Sequence, residues 1–139
     1  MPTDASDLLV AQARAFEEER LDDMLADYAY PFPVHLEDRL LVLPTPEAMR
    51  AALGTCRRLF ARAGITAITP RVEREEPPRR GRFRAWLRWE HRGPEGTDPV
   101  GSRATLYLGP GPEGRTVIEM AHYTRFAVSD IKAFQPHAA

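Results

Sequence analysis

Prolines divide this chain before any other signal is read. Thirteen occur in 139 residues, most of them in or beside short turn-like clusters such as Pro31–Pro33, Pro44–Pro46, Pro77–Pro78, Pro94–Pro99 and Pro110–Pro112. The pyrrolidine ring fixes φ and removes a backbone donor, so proline settles at the ends of helices and strands. The intervals between clusters admit only short helices and hairpin strands. A chain of this length forms one domain, residues 1–139, and buries roughly two thirds of its unfolded surface.

The intervals have distinct periods. From Thr3 to Tyr30 the pattern is helical, with N-capping oxygens on Thr3, Asp4 and Ser6. Leu21, Met24, Leu25 and Tyr28 recur at i, i+3, i+4 and i+7, and the charged stretch Glu17–Arg20 marks a break between two helices. Two short strand patterns follow, Pro33–Asp38 and Leu40–Leu43. Thr45 caps a long helix with Pro46 at its first position, where the missing N–H costs nothing. Its stripe runs Met49, Ala52, Leu53, Cys56, Leu59, Phe60, Ala63, and Gly64 supplies a left-handed C-cap. Beyond it lie four strand patterns, 65–76, 82–92, 100–108 and 115–128, joined by Gly- and Pro-rich turns. Helices followed by a run of hairpin strands predict an α+β fold, with a curved antiparallel sheet wrapped on the helices.

Composition excludes several classes. With 43% apolar and 28% charged residues and a net charge of -1, the chain is globular rather than disordered. No apolar run approaches the roughly 20 residues of a membrane span, and the acidic N-terminal segment lacks the basic region of a secretory leader. A single cysteine, Cys56, excludes an internal disulfide and points to a cytoplasmic location. No metal-ligand cluster is spaced along the chain, and neither metal nor organic cofactor is expected.

Alternation separates the two faces of the later strands. Phe83, Ala85, Leu87 and Trp89 are expected to face the helices, against Arg82, Arg84, Arg88 and Glu90 outside. In the last strand Ile118, Met120, His122, Thr124 and Phe126 are expected inward. The arginine and aromatic run from Arg79 to Trp89 invites a nucleic-acid reading. Glu73, Glu75, Glu76 and Glu90 stand close by, however, and alternation sends Phe83, Leu87 and Trp89 to the opposite face from the arginines, with Trp86 the odd aromatic among them. The run reads instead as an outer Arg/Glu ladder, and no nucleic acid is expected as partner.

The order of elements, the segment Leu21-Asp22-Asp23-Met24-Leu25-Ala26-Asp27-Tyr28 before a proline and a short acidic strand, and the closing Val117-Ile118-Glu119-Met120 strand resemble the nuclear transport factor two-like superfamily. This superfamily includes the SnoaL-like cyclases and the ketosteroid isomerases, and the resemblance spans nearly the whole chain. It implies a cone-shaped, cystatin-like α+β fold, with a strongly bent sheet around the long helix and a pocket at the open end. It also implies a homodimer formed through the outer sheet face. The segment Val34–Asp38 is similar to the strand that carries the general base of the isomerases, and Asp38 matches that base. The tyrosines that complete the isomerase site would fall near Gln12 and Leu53, so the oxyanion donors, usually the largest catalytic contribution, are missing.

The candidate residues carry two readings each. Asp38 is a general base in an apolar pocket or a turn residue joining two strands. His122 is a proton-transfer group or a hydrogen-bonded core histidine. Tyr30 would donate to a developing oxyanion, or reach water. Tyr28, Phe83, Trp89 and Met120 would line the pocket, or simply fill the core. His35 and His91 are expected at the surface, His137 in a loose tail, and Cys56 acts as a small hydrophobe. The expected function is binding of a small apolar organic molecule. Two alternatives remain open: cofactor-independent isomerisation, dehydration or cyclisation by acid/base chemistry, and a non-catalytic ligand- or protein-binding module.

Overall fold

The computed structural model describes residues 4–126. Its elements follow the expected order: α1 (Asp4–Glu17), a 3-10 helix (Leu21–Asp27), β1 (Phe32–Leu36), β2 (Arg39–Leu43), α2 (Pro46–Arg62), β3 (Ala67–Glu75), β4 (Phe83–Gly93), β5 (Gly96–Pro110) and β6 (Thr116–Arg125). The break foreseen at Glu17–Arg20 separates α1 from a piece that is 3-10 rather than α-helical. The turn read at 93–98 is tighter than expected, because Gly93 already pairs with Gly96. No helix among the described residues is long and apolar enough to cross a membrane.

The long helix is built as its sequence dictates. The Thr45 side chain accepts a hydrogen bond from the Ala48 N–H at 3.1 Å, and Pro46 opens the first turn. Gly64, at φ 77°, lies in the left-handed region just past the C-terminus. Met49, Leu59 and Phe60 are buried, whereas Ala52, Leu53 and Cys56 on the same stripe are half-buried. That difference is the first sign of a hollow beside the middle of α2.

All six strands form one sheet in the order β2-β1-β6-β5-β4-β3. The run β3 to β6 is antiparallel throughout, as the turn chemistry requires. β1 pairs antiparallel with β2 but parallel with β6, through Val34 beside Ala121, His35 beside His122 and Leu36 beside Tyr123. A parallel pair needs a long connection, here α2 and four strands. Register shifts at Val72/Arg74, Trp89/His91, Arg103/Ala104 and Tyr107/Leu108 mark bulges. Each adds local twist and bend, which is how the sheet curves around the helices. α1 packs on β3, and the Glu17 carboxylate accepts the Ile68 N–H at 2.8 Å, occupying a donor of this edge strand.

On β4 the inward set is as read: Phe83, Ala85 and Leu87 are buried opposite Leu108, Leu106 and Ala104. Two placements are corrected. In β6 the pairing steps from Leu108↔Ile118 to Tyr107↔Met120, leaving Glu119 as the extra residue of a bulge. One extra residue inverts the phase beyond it. Ile118, Ala121 and Tyr123 therefore share the inner face, and Met120 and His122 lie on the outer one, where the His122 ring meets His35 edge-on at 5.5 Å. His91, expected at the surface, is buried. The outer face holds the anticipated ladder: Arg71–Glu90 at 3.2 Å, Arg88–Glu90 at 2.9 Å and Arg103–Glu73 at 2.7 Å. Trp86 lies between the guanidinium groups of Arg74 and Arg84, 4.7 and 5.0 Å from its ring centroid.

Thr45→Ala removes the capping acceptor of α2 and is expected to lower stability by about 1 kcal/mol. Urea unfolding monitored by circular dichroism reads this as a lower midpoint at unchanged slope.

Candidate functional site

Curvature leaves space between α2, α1 and the concave face. Two adjoining hollows of about 120 and 90 Å³ share Gln12, Tyr28, Leu53, Cys56, Trp89, Tyr123 and Phe126 as walls. The first extends over Leu9, Phe32, Val34, Met49 and Ala121, and the second reaches Phe16, Phe60, His91 and Ser102. An apolar cavity of about 150 Å³ holds a benzene-sized molecule, so this space suits a ring compound. No Asp, Glu, Lys or Arg among the described residues lines either hollow.

Its polar groups are few, and most are satisfied from within. The Tyr28 hydroxyl donates to Gln12 Oε1 at 2.7 Å. Gln12 Nε2 donates to the Met24 carbonyl at 3.2 Å and to Asp27 Oδ2 at 3.0 Å. Arg115 closes the chain on Asp27 Oδ1 at 2.8 Å. Gln12 is 4% exposed, so this network answers the cost of burying an amide. Burial holds the Tyr28 and Tyr123 phenols well above their usual range and pushes the Cys56 thiol up to about 12. All three are neutral at ordinary pH, and Cys56 is no nucleophile.

His91 differs from these. Its Nε2 lies 3.4 Å from Ser102 Oγ, at the long limit of a hydrogen bond, and its Nδ1 has no partner. The ring packs on Phe60, centroids 5.0 Å apart. It also lies against Gly101, where a Cβ would come within 2.3 Å of it, so glycine is what admits the imidazole. Burial lowers the His91 pKa, and Asp98 only partly opposes this.

The sequence-derived candidates divide by place. Trp89 and Tyr28 line the hollow. Phe83 is on the inner face but packs in the core away from it. Tyr30 is half-buried, and its hydroxyl donates to the Leu25 carbonyl at 2.8 Å instead of facing the hollow. Asp38 is exposed in the two-residue turn between β1 and β2. Met120 and His122 are on the outer face. The structure therefore does not bring Asp38, His122 and Tyr30 together. Gln12, His91, Ser102 and Tyr123 line the hollow without having been singled out as ligand-facing. For His91 the sequence carried a cue: it continues the Phe83, Ala85, Leu87, Trp89 alternation by one step.

The lowered His91 pKa sets a pH dependence. The unfolded chain binds this proton near the ordinary 6.5 and the folded chain only at lower pH, so the stability tied to neutral His91 is present above 6.5 and declines on acidification below it. Unfolding midpoints followed from pH 7.5 to 5 are expected to fall more steeply for the native chain than for His91→Gln.

No protein-family model and no curated protein matches the sequence. Solved structures do match it. A protein of unknown function from Shewanella oneidensis, described as NTF-2 like, aligns with a TM-score of 0.67 at 17% identity over 88% of this chain and 98% of that one. A domain with a cystatin-like fold from Nostoc punctiforme gives 0.66 at 13% identity, over 94% and 80%. A protein from Catenulispora acidiphila, solved in complex with S-DNPA, gives 0.63 at 10% identity, over 86% and 90%. The helices, the curved six-stranded sheet and these alignments together identify the chain as having the nuclear transport factor two-like, cystatin-like fold.

Proposed function

We propose that this domain binds a small, mostly apolar ring compound in the hollow between α2 and the concave face of the sheet. The carrying observation is the hollow itself, an apolar space with no charged side chain among its described lining residues. Protein interiors ordinarily close such voids, so one of this size is a binding-site hypothesis by default. The Catenulispora acidiphila protein of the same fold, with S-DNPA bound, supports a small-molecule occupant. Cofactor-independent isomerisation, dehydration or cyclisation would need paired acid and base groups at the hollow; Asp38, His122 and Tyr30 lie away from it, and His91 lines it with no carboxylate among the described lining residues. Binding makes no such demand and is the reading adopted.

As partner we propose a second copy of the chain, through the outer sheet face. Leu40 and Val42 on β2 are 60% and 43% exposed, and the ladder on β3, β4 and β5 of the same outer face presents both arginine and glutamate, so the face is self-complementary in charge.

The two tryptophans provide an internal control for ligand binding. In ¹H–¹⁵N spectra, p-xylene is expected to shift the Trp89 indole resonance, at the hollow, and leave that of Trp86, on the outer face. Ala52→Phe, which fills the space, is expected to abolish the shift. No response of Trp89 up to the solubility limit of p-xylene would overturn the cavity reading. For the dimer, the double substitution Leu40→Glu and Val42→Glu is expected to halve the mass seen by sedimentation equilibrium. A native chain that is monomeric at hundreds of micromolar would refute it.

A further inference from the structure

We infer that the His91 end of the hollow is a recognition site for a hydroxyl group, so that the occupant is a hydroxylated ring compound rather than a hydrocarbon. This deepens the cavity reading and rests on it.

The argument begins with hydrogen-bond accounting. His91 is 4% exposed and lines the second hollow, yet its Nδ1 is without a partner. A buried polar atom left unpaired costs about 1–3 kcal/mol. In this hollow Gln12 and Tyr28 are saturated or nearly so by each other and by Asp27. Among the described residues that line the hollow, His91 carries the buried side-chain nitrogen left without a partner.

Its position has been made for it. Gly101 vacates the volume that the ring occupies, and Phe60 braces it from α2. Ser102, opposite Trp89 in the β4–β5 pairing, presents its hydroxyl to the other ring nitrogen. A side chain that merely filled space here would need none of this.

The chemistry of the ligand follows from the tautomers. If the Ser102 hydroxyl donates to Nε2, the proton resides on Nδ1, which then needs an acceptor. If Nε2–H donates to Ser102, Nδ1 is a lone pair and needs a donor. A hydroxyl serves both states, whereas a carbonyl serves one and a hydrocarbon neither. The remaining walls, Leu53, Phe60, Trp89 and Phe126 among them, suit the apolar body of a phenol or cyclic alcohol.

The ring of His91 also borders a surface hollow formed by Ala63, Ile65 and the 93–98 turn. Solvent from that side is the competing partner for Nδ1, and the experiment separates the two.

p-Cresol and p-xylene have nearly the same shape and differ by a hydroxyl in place of a methyl. An apolar cavity without a partner prefers the xylene, because the cresol hydroxyl must be desolvated. Calorimetric titration of the native chain is expected to show p-cresol binding at least as tightly as p-xylene. His91→Phe is expected to weaken p-cresol about tenfold or more relative to p-xylene measured on the same variant. Histidine-labelled native protein supplies a readout independent of the variant's folding. p-Cresol, and not p-xylene, should shift the ¹⁵N resonance of His91 Nδ1. Binding of p-xylene with a markedly weaker p-cresol, or a His91 resonance indifferent to p-cresol, overturns the hydroxyl site and leaves the cavity reading intact. Failure of both compounds to bind overturns the cavity reading and this inference with it.

Discussion

The parallel seam between β1 and β6 is the contact on which the rest of the fold depends. It joins residues 34–36 to residues 121–123, well over half the chain apart. Backbone bonds extend it at both ends, from the Ala29 N–H to the Ile118 carbonyl and from the Glu37 N–H to the Tyr123 carbonyl, each at 2.9 Å. β2 leads directly into α2, so docking the β1–β2 hairpin on β6 also decides where the long helix starts. α2 then rests on β2 and the 3-10 helix at its flanks, and the hollow lies between its middle and the concave sheet. The hollow is thus a consequence of strand order and curvature rather than of any missing side chain.

Within the hollow, polar groups are kept neutral and mostly paired. Tyr28, Gln12, Asp27 and Arg115 form a chain from the interior to the surface, in which the single charged pair sits at the outer end. This arrangement places the cost of ion desolvation near water, where it is small. The interior end carries hydroxyl, amide, thiol and imidazole in uncharged forms. Such a chamber favours an uncharged occupant and disfavours an anion or cation, which would have to shed its hydration with no counter-charge to meet. The outer face is organised oppositely: arginine and glutamate alternate across β3, β4 and β5, and Trp86 is held between two guanidinium groups.

Much of this was readable from the residues. The proline and glycine clusters, the Thr45 cap, the helical stripe from Met49 and the alternation Phe83, Ala85, Leu87, Trp89 are local patterns. Each specifies an element or a face through sterics and periodicity alone. The outward placement of the arginines on β4 followed from the same alternation. The misplacements on β6 have one origin. A single extra residue at Glu119 inverts the phase of β6, so Met120 and His122 exchange faces with Ala121 and Tyr123. A bulge depends on the partner strand, and one strand's sequence does not announce it.

The candidate site was legible only where it lay on an uninterrupted pattern. Trp89 and Tyr28 were named and line the hollow, while Asp38 lies in a hairpin turn. Sequence by itself determined the elements, their order and the apolar faces, because these follow from backbone sterics and from the periods of helix and strand. Tertiary structure alone decided the parallel seam, the bulges and the hollow with His91 in its wall. Those arise from pairings between segments far apart in the chain, whose register is set by mutual packing and by no residue singly.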